Sequence, residues 1–213
     1  DNRGGARSPK PPGPYTIAEM ADDVLELLDD LQIPQVALLG HSMRGAIAQH
    51  LALHHPHRVS RLILACTQAH FGVRTLAVVE GWSACLSLGA NPQQLGRCLF
   101  PWLYTKDFLD QPGALEACIQ ALENHPYPLE PAPIASQVEA LRGHDLRAQL
   151  PSLQRPTLVL GADQDLLAAP EDCLELHRLI PHSRRKTLKA SGHSCMLQTP
   201  DAFNHAVLEF LSE

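Results

Sequence analysis

Ser42 is the side chain on which chemistry could be built. It lies in Val36-Ala37-Leu38-Leu39-Gly40-His41-Ser42-Met43-Arg44-Gly45, where an apolar run too short for a helix ends in glycine and continues into the helix-forming Ala46-Ile47-Ala48-Gln49-His50-Leu51-Ala52-Leu53. The pattern predicts strand, sharp turn, helix. A serine at such a turn is lifted clear of the backbone, so a base can approach its hydroxyl from one side and a carbonyl from the other. The competing reading is a serine that only caps the helix. Two further groups bear on the choice. The apolar run Pro156-Thr157-Leu158-Val159-Leu160-Gly161 leads into an acidic loop holding Asp163 and Asp165, and His193 lies in Ala190-Ser191-Gly192-His193-Ser194, behind a short polar strand near Arg184 to Leu188. A serine hydroxyl becomes a good nucleophile only when an imidazole takes its proton, and the imidazole needs a carboxylate to fix its tautomer. Asp165 alone could cap the next helix, and His193 alone could be a surface histidine. In this order, each after a predicted strand, they read together as nucleophile, acid and base.

The elements that must position these groups follow from periodicity. Residues 1–14 are rich in glycine and proline and carry no periodic apolar pattern, which predicts loop. Thr16 with Glu19 forms a capping box, and Ile17, Met20, Ala21, Val24, Leu25, Leu27 and Leu28 recur at helical spacing to a helix end near Leu31. Val36 to Leu39 and Val59 to Cys66 predict strands on either side of the helix that follows Ser42. Such rapid alternation implies a parallel sheet with crossover helices. From about Gly72 to Leu150 no strand-like run occurs. Helical segments there, Thr75 to Leu88 and Ala114 to Glu123, are separated by Pro92, Pro101, Pro112 and the cluster Pro126, Pro128, Pro131 and Pro133. This predicts an inserted helical lid, whose Trp82, Phe100, Trp102, Tyr104 and Phe108 could line an apolar substrate pocket, although packing is the commoner role of such a stripe. The sheet pattern resumes at Pro156, with helices from about Pro170 to Leu179 and Pro200 to Leu211. The expected organisation is therefore an α/β core part over residues 1–72, a lid over 73–150 and a second core part over 151–213. Loops at the carboxyl ends of parallel strands converge on one crevice, which is where Ser42, the acid and His193 would meet.

Composition excludes several other functions. With 213 residues and 45% hydrophobic content the chain can bury a sizeable core. Its net charge of -6, with no Lys/Arg run, disfavours nucleic acid and anionic membrane surfaces as partners. No stretch approaches the roughly 20 apolar residues of a membrane span, and the opening residues do not spell the charged-then-apolar pattern of a secretory signal. The six cysteines, Cys66, Cys85, Cys98, Cys118, Cys173 and Cys195, include no C-x-x-C pair, which favours reduced thiols and a cytoplasmic location. Among the twelve histidines, His54, His55 and His57 cluster after the helix behind Ser42. Without a carboxylate or cysteine at ligand spacing they read as a polar helix terminus and not a metal site, and the chemistry of a serine, an imidazole and a carboxylate requires neither a metal nor an organic cofactor.

The order Ser, Asp, His, with Gly40-His41-Ser42-Met43 as the turn and Gly192-His193 as the histidine loop, resembles the α/β-hydrolase family from end to end. Asp1-Asn2-Arg3-Gly4-Gly5-Ala6-Arg7-Ser8 is similar to the loop that family members place before their first sheet-covering helix. The resemblance implies an α/β fold, a mostly parallel sheet flanked by helices, and a Ser42–Asp165–His193 triad. It favours Asp165 over Asp163, because the family's acid stands a few residues before a proline. It further implies an oxyanion donated to by the Met43 N–H and a small-molecule ester, lactone or related acyl substrate. Asp165-Leu166-Leu167 together with Gly192-His193-Ser194-Cys195 is similar to the branch holding 3-oxoadipate enol-lactonases and aminoacrylate hydrolases. Substrate identity, substrate-binding residues and oligomeric state stay open.

Two departures qualify the expectation. The family's turn carries glycine two residues after the serine, where this chain has Arg44, so a poorly aimed Ser42 is one expectation. Family members also begin with further strands and a loop whose N–H is the second oxyanion donor, and this chain starts at what resembles the region behind that loop. The corresponding expectations are a fragment or truncated product lacking the early strands and an impaired hydrolase. The alternatives are a non-catalytic binding or interaction protein of the same fold and a cofactor-free haloperoxidase-like enzyme.

Overall fold

A four-stranded parallel sheet in the order β1-β2-β3-β4 carries the molecule, with β1 at Val36–His41, β2 at Val59–Ala65, β3 at Thr157–Ala162 and β4 at Arg184–Leu188. The computed structural model describes residues 1–213. Leu39 stands beside Ile63, Ile63 beside Leu158 and Leu158 beside Arg184, so all four strands run the same way and their carboxyl ends share one edge. The central strands are near-continuous apolar runs because both of their faces are covered. Leu62, Leu64 and Val159 pack on one face with Met20, Leu51 and Leu176. The alternate residues Ile63, Leu158 and Leu160 pack on the other with Phe203 and Phe210. β1 has a neighbour on one side only, and its Leu39 is exposed.

Helices α1 (Ile17–Asp30), α2 (Met43–His54) and α8 (Pro170–Leu179) supply the first face, while the short α9 (Cys195–Gln198) and α10 (Pro200–Leu211) supply the second. α1 starts as its capping box requires: Thr16 Oγ1 accepts from the Glu19 N–H at 3.1 Å, and the Thr16 N–H donates to Glu19 Oε2 at 2.8 Å. Five helices lie between β2 and β3: α3 (Val73–Ser87), α4 (Pro92–Leu103), α5 (Lys106–Leu109), α6 (Ala114–Glu123) and α7 (Pro131–Arg142), with α3 packed on α7 and α4 on α6. Of the prolines expected to break this region, Pro112, Pro126 and Pro128 do lie between helices, while Pro92 and Pro131 start them. Pro92 follows the capping Asn91 at the head of α4, and Pro131 opens α7. A helix leaves its first N–H groups unpaired, so a residue without one is at no disadvantage there. Only Pro101 stands deep inside a helix, in the last turn of α4.

The segment that returns from α7 to the sheet is tied to the stretch that follows β2. Leu146 N–H donates to Ala69 O at 3.0 Å, and His70 and Asp145 form an isolated bridge. His144 is buried beside them against the ring of Phe71, and burial pushes its pKa down to about 4.

Candidate active site

Each strand end delivers one part of the site. β1 runs into Ser42, which adopts φ 56° and ψ -127°, a conformation L residues rarely adopt. β2 contributes the partners that hold it: Ser42 N–H donates to Ala65 O at 3.0 Å, and Thr67 Oγ1 donates to Ser42 O at 2.7 Å. Strand and helix approach so closely that a Cβ on Gly40 would stand 2.3 Å from the Arg44 carbonyl oxygen, and one on Gly45 would stand 2.5 Å from Thr67 Cγ2. Arg44 itself points to solvent. The crowding anticipated at position 44 therefore falls on its neighbours, both glycines, and Arg44 leaves the turn intact.

Ser42 stands at the N-cap of α2, yet its side chain makes no capping bond. Its Oγ lies 2.9 Å from His193 Nε2. His193 Nδ1 lies 2.9 Å from Asp165 Oδ2 and 3.1 Å from Oδ1. A carboxylate only accepts, so Nδ1 carries the proton, and the Nε2 lone pair faces the serine hydroxyl. Asp165 does not cap α8. Its Oδ1 accepts from the N–H groups of Leu167 at 2.8 Å and Ala168 at 2.9 Å, which aims the other oxygen at the imidazole. Asp165 and His193 are buried, with 3% and 4% of their surface exposed, so their contact is little screened by water. Asp163 stands elsewhere: its Oδ1 accepts from the Ser191 N–H at 3.3 Å and holds the base of the histidine loop. Met43, the first residue of α2, has an N–H without an intrahelical acceptor, at the positive end of the helix dipole.

His41 joins the site although no motif singles it out. Its Nε2–H donates to His193 O at 2.9 Å, and the two rings lie 4.8 Å apart. Burial, reinforced by the neighbouring His193, pushes its pKa down to about 4, so above that pH the ring is neutral and the hydrogen bond fixes its tautomer. Cys66, at φ 45° directly after β2, lies with its Sγ 3.5 Å from Cys195 Sγ beneath the same loop; all six cysteines are free. The Cys195 contact and burial push the Cys66 thiol well above its ordinary range.

The aromatic residues expected in one pocket divide between two cavities. Phe100, Tyr104 and Phe108 wall one of about 640 Å³ with Ala114 and Leu122. Trp82 and Trp102 wall another of about 620 Å³ with Arg74 and Arg97. Ser42 and His193 line neither. The clustered histidines assemble no group of ligating side chains suited to a metal ion.

Residues 1–85 match the family described as alpha/beta hydrolase fold. The chain is 36% identical over 212 residues to 3-oxoadipate enol-lactonase 2 of Acinetobacter baylyi, covering 97% of this chain and 75% of that protein. This chain belongs to the α/β-hydrolase family. Among solved structures, the enol-lactonase from Burkholderia xenovorans LB400 superposes with a TM-score of 0.89 at 31% identity, over all of this chain and 79% of that one. A thermophilic esterase from Thermogutta terrifontis, with malate bound, gives 0.85 at 26% identity over all of this chain and 78% of its own. The α/β-hydrolase described here is thus an enzyme of hydrolase type with a sheet flanked by helices, and no helix is long and apolar enough to cross a membrane.

Two predictions follow from these contacts. Gly45→Ala lowers the urea unfolding free energy by about 1–3 kcal/mol through overpacking against Thr67, and adding Thr67→Ser recovers part of it. Arg44→Ala, at an exposed site, changes it by less than about 0.5 kcal/mol. His41 and His144 both have folded pKa values pushed down to about 4. Between that value and the unfolded histidine's roughly 6.5 the unfolded chain binds more protons. Stability therefore falls as pH drops through this window, and His144→Gln flattens the fall in urea midpoint measured between pH 7 and pH 4.5.

Proposed function

We propose that this chain is a serine hydrolase that opens an ester or lactone bond of a small molecule. The observation that carries the reading is the unbroken sequence of contacts from Ser42 Oγ through the His193 ring to Asp165. Ser42 Oγ attacks the substrate carbonyl carbon while its proton passes to His193 Nε2. Asp165 holds Nδ1–H and stabilises the imidazolium. The oxyanion that forms is stabilised by the Met43 N–H and the dipole of α2. As the intermediate collapses, the carbonyl re-forms, the bond to the leaving oxygen breaks and His193 returns the proton to that oxygen. Water then attacks the acyl-enzyme with His193 again as base, releasing the acid and restoring Ser42.

A lactone is favoured within this class, because an enol-lactonase relative at 36% identity and an enol-lactonase structure at 31% both match almost the whole chain. In a lactone both products of cleavage stay in one molecule, so attack opens a ring and releases nothing until water completes the reaction. The chemistry calls for no metal and no organic cofactor from this residue set. The exposed Arg44 and the 2.9 Å contact of Ser42 with His193 give no support to a binding protein that has lost its chemistry.

The test is labelling by a fluorophosphonate probe together with turnover of a panel of short esters and lactones. Wild-type protein labels at Ser42 and hydrolyses members of the panel, Ser42→Ala loses both signals, and Asp165→Asn lowers kcat by roughly 10⁴ by disturbing the imidazole tautomer. Labelling and turnover that persist in Ser42→Ala would remove the assignment.

A further inference from the structure

The loop that carries His193 is fastened on a side the reaction does not use. Ser194 N–H donates to Leu103 O at 2.9 Å, and Gly192 N–H donates to Gln198 Oε1 at 2.9 Å. The other end of the same Gln198 amide, its Nε2–H, donates to Thr105 Oγ1 at 2.9 Å. Leu103 ends α4, and Thr105 caps α5 by accepting from the Phe108 N–H. Both thus belong to the turn between two helices of the segment that joins β2 to β3. The contact is close on both sides: a Cβ on Gly192 would stand 3.1 Å from Leu103 O and 3.2 Å from Thr105 N. Between these two residues Tyr104 stacks on Phe108 at 4.7 Å, and both rings wall the 640 Å³ cavity.

We infer that Gln198 is a positioning residue for His193: its amide bolts the histidine loop to the α4–α5 turn, so the base and the wall of the neighbouring cavity hold a common position. The inference rests on the reading of Ser42 and His193 as nucleophile and base. Gln198 uses both ends of its amide, accepting from one element and donating to another, so a side chain of similar size without polar atoms loses both links at once. His41 and Asp165 brace the His193 carbonyl and ring from the sheet. Gln198 supplies the brace from the opposite side. Displacement of the reacting groups by about 1 Å is enough to lose roughly a hundredfold in rate, so a loop left on that side with only the Ser194 N–H bond to Leu103 O is a kinetic defect even where the fold survives.

The experiment compares Gln198→Leu with Gln198→Glu in the full chain. Glutamate still accepts from the Gly192 N–H, and the Thr105 hydroxyl can turn to donate to it, so both links persist. With p-nitrophenyl acetate as probe, Gln198→Leu lowers kcat by about 10- to 100-fold with KM changed less than twofold, and Gln198→Glu restores most of kcat. A readout independent of turnover is the downfield proton resonance of His193 Nδ1–H, identified by its loss in His193→Gln. It shifts or broadens in Gln198→Leu and returns in Gln198→Glu. Should Gln198→Leu fail to fold, Thr105→Val against Thr105→Ser makes the same comparison from the other end of the link. A folded Gln198→Leu with kcat within twofold of wild type and an unmoved resonance overturns the inference. Absence of any Ser42-dependent turnover in the wild type overturns the functional reading instead, and the resonance then still reports whether Gln198 positions His193.

Discussion

The site depends on a backbone reversal that the chain would not adopt by itself. Ser42, at φ 56° and ψ -127°, sits in a region that costs on the order of 1–3 kcal/mol and persists only where surrounding structure over-determines it. Here β2 does so. The Ala65 carbonyl accepts from the Ser42 N–H, the Thr67 hydroxyl donates to the Ser42 carbonyl, and Gly40 and Gly45 let strand and helix close upon each other. β2 is also buried on both faces. The element that anchors the reversal is therefore among the least able to move, and strain at Ser42 is held against the whole core.

Parallel register carries the rest. Because all four strands run the same way, the loops after β1, β3 and β4 open on one edge, and residues separated by more than a hundred positions in the chain come within hydrogen-bonding distance. What finishes the arrangement is a set of contacts around the His193 backbone. His41 holds its carbonyl from the serine turn, Asp163 holds Ser191 from the β3 loop, and the α4–α5 turn holds Ser194 directly and Gly192 through Gln198. The histidine is thus placed by three separate parts of the chain, and each uses a backbone group of the loop.

Membership of the α/β-hydrolase family and hydrolase chemistry follow from relatives that span nearly the whole chain. Those relatives include enol-lactonases and an esterase on one frame. The frame brings Ser42 and His193 into contact at the carboxyl edge of the sheet, and the helices between β2 and β3 pack outside that sheet. The two cavities walled by Phe100, Tyr104 and Phe108 and by Trp82 and Trp102 show how that segment divides its aromatic residues.

Much of this was legible in the residues themselves. Short apolar runs ending in glycine or acid marked β1 and β3, the Thr16–Glu19 pair marked the start of α1, and the order of serine, aspartate and histidine marked the groups that meet, because these signals are local and each has its own stereochemical cause. The segment between β2 and β3 was read as helical with its prolines as breaks; Pro112, Pro126 and Pro128 do separate helices, while Pro92 and Pro131 begin them, because a proline carries the same fixed φ in both roles and what precedes it decides. Arg44 looked like an obstacle because the spacing of a turn says how close strand and helix come, not which side chains face the gap. Only the fold decided that Gly40 and Gly45 meet the crowding while Arg44 meets water. Asp165 was already preferred to Asp163 by its place a few residues before Pro170, whereas the neutral His41 and the Gln198 link lay beyond any local pattern. Each depends on a distance between segments far apart in sequence, and such distances exist only once the sheet has set its register.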